Sequence, residues 1–304
     1  MKFPDPIFDL IGIPILVGLF IFLWIMESKF QLRKRVQKKS DRFLTNTGIA
    51  TVSLVLLRLV FIPAMVWLAV HNNEWKFGLN YLYQWPVWTE FVIGFLFLDY
   101  TNYVWHILNH KFPLLWRFHV VHHTDLDLDL NTGIRFHFGE LIGSIFFRGA
   151  MVLLTGASPV LVLVYEIIFE AATNFHHSNW KLPLRFEKVF NILFVTPRMH
   201  GIHHSIIKNE TDSNFSVIFS FWDRLHKTLH LNIAQQDIII GTPSYRDPAE
   251  LTLLNLLLMP FRKLKSWQFA DGTVPERSDT DKNRVHFPDD EPKQNLRKNN
   301  AGSF

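Results

Sequence analysis

Histidine is the residue type with most chemical potential in this chain, through its placement more than its number. Eleven of the fifteen histidines fall between residues 106 and 204. All but His137 form four local patterns: His106-x-x-x-His110, His119-x-x-His122-His123, the pair His176-His177, and His200-x-x-His203-His204. Residues three and four apart share one helix face, so each spaced pattern aims two or three imidazoles at one point. Neutral imidazole is a preferred ligand for zinc, copper, iron and nickel, and these patterns hold donors for more than one ion. The chain has no cysteine, which excludes a thiolate nucleophile, a disulfide scaffold and any metal site built on sulfur. Three other chemistries fail on spacing. His106-Ile-Leu-Asn-His110 lacks the glutamate of a metalloprotease H-E-x-x-H. The Glu-x-x-His pairs of soluble di-iron bundles are missing. A heme needs only one or two axial histidines. His71, His226, His230 and His286 lie outside the patterns and read as ordinary polar residues.

Such a cage needs rigid elements, and the composition says which kind. With 48% apolar, 15% aromatic and 19% charged residues, the chain has a membrane-like balance. Residues 7–26 carry one charge, Asp9, and read as a first transmembrane helix. Seven basic residues follow (Lys29, Arg33, Lys34, Arg35, Lys38, Lys39 and Arg42), which places that loop in the cytoplasm and the amino terminus outside. Residues 48–70 return the chain, with Trp75, Tyr81 and Trp85 as interfacial anchors, and residues 87–105 form a third span. Residues 138–155 and 159–172, joined by the turn signal GASP, form a short hairpin that contains Glu140, Arg148, Glu166 and Glu170. Every histidine pattern then lies on the cytoplasmic side. Residues 251–259 are too short to span and read as an interfacial helix.

The expected fold is therefore all-α, an integral membrane bundle of four or five segments under a helical cytosolic cap that carries a di-metal site. Its expected organisation is an N-terminal transmembrane region over 1–86, a metal-binding domain over 87–265, and a polar, disordered tail over 266–304. The formal charge of +4 is concentrated in the basic loop, so it signals topology and gives no case for nucleic acid. Asp99, Tyr103, His106 and His110 stand at i, i+4, i+7 and i+11, one stripe running from the bilayer into the site. A carboxylate at that depth is expensive. It reads as an outer carboxylate for a ligand imidazole, or else as a partner for a polar group of the bundle.

Histidine-only ligation at the ends of membrane helices resembles the fatty acid hydroxylase and sterol desaturase superfamily. The stretches DYTNYVWHILNH, WRFHVVHHTD, IRFHFGE, NFHHSN, RMHGIHHS and NFSVIFSFWDRLHKTL follow in that family's order. The resemblance implies a non-heme di-iron site that uses O2 and two electrons to hydroxylate or desaturate a lipid. It implies as ligands His106, His110, His119, His122, His123, His200, His203 and His204, completed by His176, His177 or both. Asp99, Tyr103, Arg135, His137, Glu140, Asn214, Trp222 and Asp223 are expected as support around the metals. His226-Lys227 departs from the phenylalanine-glycine usual after the closing motif.

Electrons must come from a separate donor of ferredoxin, cytochrome b5 or flavin reductase type, because the chain carries neither a G-x-G-x-x-G after a strand nor a His-Pro-Gly-Gly heme motif. The basic loop is expected to set topology and meet anionic lipid, with steering of an acidic donor as the alternative. Lack of a retrieval signal and of cysteine favours a bacterial inner membrane over the endoplasmic reticulum. The competing function is a non-catalytic membrane protein that binds or transports metal. Transport predicts ionisable groups at mid-membrane depth in several helices, whereas the imidazoles cluster beyond the spans.

Overall fold

The computed structural model describes residues 8–82, 85–277 and 286–288. It is helical throughout, and the described residues hold only isolated β-bridges. After a π turn, α1 covers Ile13–Lys29; α2 (Lys39–Leu56) and α3 (Ile62–Trp75) form one continuous helical run. The join, Leu57–Phe61, widens to π geometry just before Pro63, whose ring would clash with a carbonyl one turn back in a regular helix. Next come α4 (Val87–Lys111), α5 (Pro113–His123), α6 (Phe138–Thr155) and α7 (Pro159–His177). The cap adds α8 (Leu184–Phe190), α9 (Pro197–His203), α10 (Lys208–Thr211), α11 (Phe221–Leu225) and α12 (Leu253–Leu258).

Among the described residues, four helical runs are long and apolar enough to cross a membrane: Leu10–Lys29, Lys39–Tyr81, Val87–Lys111 and Phe138–Thr155. Their outward faces expose Ile21, Leu59, Trp88 and Phe146, the side chains a bilayer would cover. The bundle core lies where α3, α4, α6 and α7 meet, around Phe61, Met65, Leu98, Val152, Leu161 and Tyr165. The GASP hairpin forms as the sequence demands. Gly156 closes α6 at φ +72°, and Ser158 caps α7 ahead of Pro159. Gly156 also meets Gly78 (φ +107°) of the preceding loop, where a Cβ on Gly78 would come within 2.5 Å of the Gly156 nitrogen.

Part of the basic loop also serves the fold. Arg42 is buried and donates to Asp125 at 2.7 and 2.8 Å, to Asp129 at 2.8 Å and to Thr132 at 3.0 Å. Arg33 is buried against Gln235 and the Pro197 carbonyl, while Arg35 and Lys39 pair with Glu27. The loop fastens the first two helices to the cap, and the buried arginines are available to neither lipid headgroups nor a donor protein. Within the segment expected as a disordered tail, residues 266–277 and 286–288 are described and meet the cap. Trp267 donates to the Ile206 carbonyl, Arg277 pairs with Glu210 at 2.6 Å, and Phe287 is buried against the cap. The rest of that segment, 278–285 and 289–304, lies outside the described residues.

Candidate metal centre

Four helices deliver the histidines. α4 brings His106 and His110 one turn apart, α5 brings His119, His122 and His123, α7 ends on His177, and α9 supplies His200 and His203 with His204 as its cap. They meet as two groups. His106, His110, His119, His123 and His203 form one, and His122, His177, His200 and His204 form the other. Within each group, one nitrogen from every ring lies within 4.8 Å of the others. All nine are buried except His106, which is half-buried.

Hydrogen bonds fix which nitrogen of several rings faces inward. A backbone carbonyl only accepts, so the Nδ1 next to it carries the proton and leaves Nε2 with a bare lone pair. His106 Nδ1 donates to the Phe215 carbonyl at 2.8 Å, His177 Nδ1 to Thr173 at 2.8 Å, and His203 Nδ1 to Ser213 at 2.7 Å. His119 Nδ1 donates to the Glu140 carboxylate at 3.0 Å. In the group of four, Nε2 of His177 lies 3.0 Å from Nε2 of both His122 and His200, and His200 Nε2 lies 3.1 Å from that of His204. His203 Nε2 has no hydrogen-bond partner among the described residues. Burial, followed by the neighbouring imidazoles, holds His122, His123, His200 and His204 well below their ordinary pKa, so neutral rings face one another. His177 Nε2 carries no proton, because Nδ1 donates to Thr173, and a cation among these nitrogens would take its lone pair together with those of its neighbours. The donor set fits metal ions: imidazoles with fixed tautomers and a carboxylate behind one of them.

The supporting residues act largely through one extended segment. Three alternate carbonyls, those of Ser213, Phe215 and Val217, face His203, His106 and His176. Asp223 fixes that segment by accepting from the Phe215 and Ser216 amides at 2.9 Å and from Thr228 at 2.6 Å. Asn214, at φ +54°, joins it to His230 and to the Met199 carbonyl. Tyr103 bonds Thr228 at 2.9 Å, so it too braces the closing segment. Arg135 ties α5 to α2 through Val121, Thr124 and Asn46.

Three of the expected residues stand apart from the two imidazole groups. Asp99 meets no imidazole: it accepts from Trp222 Nε1 at 2.8 Å and the Phe219 amide at 3.3 Å, the alternative of a polar partner within the bundle. His176 lies outside both groups, because adjacent residues on α7 point about 100° apart and His177 takes the inward direction. His137 caps α6, accepting from Gly139 while its Nε2 meets the Leu257 carbonyl. The sequence reading missed the bracing carbonyls, which any residue type can supply. It also missed Asp212, 3.5 Å from His110 Nδ1.

A cavity of about 100 Å³ opens onto His106, His119, His122 and His177 from the membrane bundle. Trp105, Phe136, Leu141 and Phe169 give it apolar walls. The cavity thus joins the interior of the helical bundle to the two buried imidazole groups.

The model of the fatty acid hydroxylase family matches residues 91–228, the stretch holding all nine histidines. The chain is similar to an ornithine lipid hydroxylase of Rhizobium tropici, 30% identical over 167 residues, which are 54% of this chain and 46% of that protein. It is 26% identical to a cholesterol 25-hydroxylase-like protein of Danio rerio over 69% of this chain and 84% of the relative. It is 24% identical to a human alkylglycerol monooxygenase over 69% of this chain and 46% of the relative. The chain thus spans about half the length of the first and third of these proteins. No solved structure matches it.

Proposed function

From the fatty acid hydroxylase domain that residues 91–228 form, we propose that the protein is a membrane-bound di-iron oxygenase that hydroxylates or desaturates a lipid with O2. The observation that carries this reading is the pair of buried imidazole groups at the mouth of an apolar cavity. His106, His110, His119, His123 and His203 would hold one iron, and His122, His177, His200 and His204 the other. Bound there, the irons supply dioxygen activation and the oxidising power to break an unactivated C–H bond.

The chain's own part is positioning. Backbone carbonyls hold His106, His177 and His203 with Nε2 inward, and Glu140 does the same for His119 while making it a stronger donor. Trp105, Phe136 and Phe169 exclude water and guide the hydrocarbon toward the imidazoles. The cavity favours an oxygenase over a metal carrier, which has no use for an apolar chamber at its binding site. The similarity to lipid hydroxylases and a monooxygenase supports a lipid substrate.

Electrons would reach the site from the cytosol through a separate carrier. Trp267, half-buried at the cap surface, lies 6.0 Å from Trp116, whose ring is 5.1 Å from His110 and 5.6 Å from His123. That aromatic contact supports delivery through the cap.

Metal content tests the reading. Detergent-purified protein grown with iron should hold about two irons per chain, one per imidazole group. His203→Ala and His122→Ala, one in each group, should together abolish both. Absence of stoichiometric metal, or iron that survives in the double variant, would sink the proposal. Stoichiometric zinc would keep the cage and remove the oxygen chemistry.

A further inference from the structure

The metal site uses the upper end of the cavity and leaves the ionisable residues at its other end unexplained. On α6, Glu140, Ser144 and Arg148 stand at i, i+4 and i+8, one face of the helix. On α7, Glu166, Glu170, Thr173 and His177 stand at i, i+4, i+7 and i+11. Arg148 pairs with Glu166, with its guanidinium 4.6 Å from the Phe169 ring and 4.9 Å from that of Phe61. Arg148 and Asn102 line both the main cavity and a void of about 10 Å³ beyond it, so the Arg148–Glu166 pair is the cavity floor. Glu170 lines the cavity and makes no hydrogen bond or ion pair with a described residue. Higher on the same wall, the Thr173 hydroxyl and the Asn109 side-chain oxygen are buried without a partner.

We propose that this floor is a recognition site for a hydrogen-bond-donating group of the lipid, a hydroxyl or an amine, received by Glu170 while the hydrocarbon ends at the imidazoles. The proposal rests on the cavity being the lipid site of the proposed oxygenase. Ionisable groups at membrane depth are costly and are retained where they meet a ligand or one another. Glu166 already answers the charge of Arg148, which leaves Glu170 as an acceptor in need of a donor. A carboxylate or phosphate would meet two carboxyl groups against one guanidinium, and a plain alkane would leave Glu170 unsatisfied. Glu170 lies seven residues before His177, and Arg148 eight after Glu140, so floor and imidazoles are roughly 10–12 Å apart along the helices. The floor therefore fixes how far from its polar group the lipid is oxidised.

Equilibrium dialysis of detergent-purified protein with tritiated dodecanol, dodecylamine, dodecyl methyl ether and dodecanoic acid tests this without turnover. The wild type should bind the alcohol and the amine about tenfold more tightly than the ether and the acid. Glu170→Leu should bring the alcohol to within about twofold of the ether while leaving ether binding unchanged. Equal binding of alcohol and ether by the wild type, or an alcohol preference intact in Glu170→Leu, overturns the proposal. If Glu170→Leu loses ether binding too, Glu170→Gln decides: it keeps an acceptor oxygen, so it must keep the alcohol and weaken the amine. An unchanged amine then overturns the proposal. Iron content is read separately. Selective alcohol binding by a protein that holds no iron would remove the oxygenase and leave the floor site standing, and iron without alcohol selectivity would do the reverse.

Discussion

Two buried polar clusters lie side by side in the cap, and their residues adjoin in the sequence HVVHHTDLDLD. In the aspartate cluster, Arg42 meets Asp125 and Asp129, and Asn46 and Thr132 also donate to Asp125 Oδ2. The fold alone completes that set. Among the histidines, Nδ1 of His122, His123, His200 and His204 and Nε2 of His203 are buried without partners, and the neighbouring Nε2 atoms face one another. The fold alone does not complete this one. A polar cluster that closes on itself holds elements together, whereas one that closes only around a cation is a binding site.

The largest expected effect falls on the self-contained cluster. Arg42→Leu leaves Asp125 and Asp129 buried without their counter-charge, which should cost about 3–5 kcal/mol and detach the first two helices from the cap. Thermal unfolding of the metal-free protein in detergent should show that loss, with partial recovery on adding Asp125→Asn. The His122→Ala, His203→Ala double variant, measured the same way, should lose far less, because it leaves no buried charge uncompensated and each ring has one nitrogen without a partner among the described residues. Equal losses would erase the distinction between the clusters.

Acid should separate the clusters next. His122, His123, His200, His203 and His204 have folded-state pKa values pushed below the ordinary 6.5 by burial and by one another. As pH falls through 6.5 the unfolded chain binds protons that the folded chain refuses, so stability drops from that point downward. Burial raises the Asp125 carboxyl, but Arg42 and Arg135 together hold it below the ordinary 3.8, so its contribution persists above 3.8 and is lost only beneath that. Metal-free protein scanned from pH 8 to pH 4 should begin to destabilise near pH 6.5, and iron, which binds the folded chain through the same lone pairs, should raise its stability and move the pH of half-unfolding lower. A half-unfolding pH that iron does not move would mean the histidines are not its ligands.

The histidine patterns were legible because spacing on one helix is a local property. His106 and His110, His119 and His123, and His200 and His204 are each four apart and each share a group. The division into two groups was not legible, since it depends on how four helices meet. His122 and His123 are neighbours in the chain and enter different groups, as do His203 and His204. The spans and the GASP hairpin were readable for the same local reason. The bracing role of Arg42 was not legible because its partners lie more than 80 residues away, where the alternating DLDLD gives no hint that its carboxylates turn inward to meet arginine.

A smaller effect belongs to Glu140, which lies behind one imidazole only. Glu140→Gln keeps the shape and removes the charge that strengthens His119 as a donor. Iron affinity should fall about 10–100-fold, with protein stability nearly unchanged. Metal titration beside the wild type checks this, and an unaltered affinity would assign Glu140 to packing alone.

The smallest effect is expected at Asp99, and it probes where the metal site ends. Asp99 sits on the same α4 stripe as His106 and His110, yet its carboxylate answers Trp222 and the Phe219 amide. Asp99→Asn retains an acceptor oxygen for both, so iron content should match the wild type and stability should fall by no more than about 1 kcal/mol. Trp222→Phe removes the other half of the same bond, and the two substitutions together should cost less than the sum of the two alone. Helix periodicity alone would place Asp99 with the ligands. A loss of iron in Asp99→Asn comparable to that in Glu140→Gln would restore that reading and extend the incomplete cluster a full two turns into the bundle.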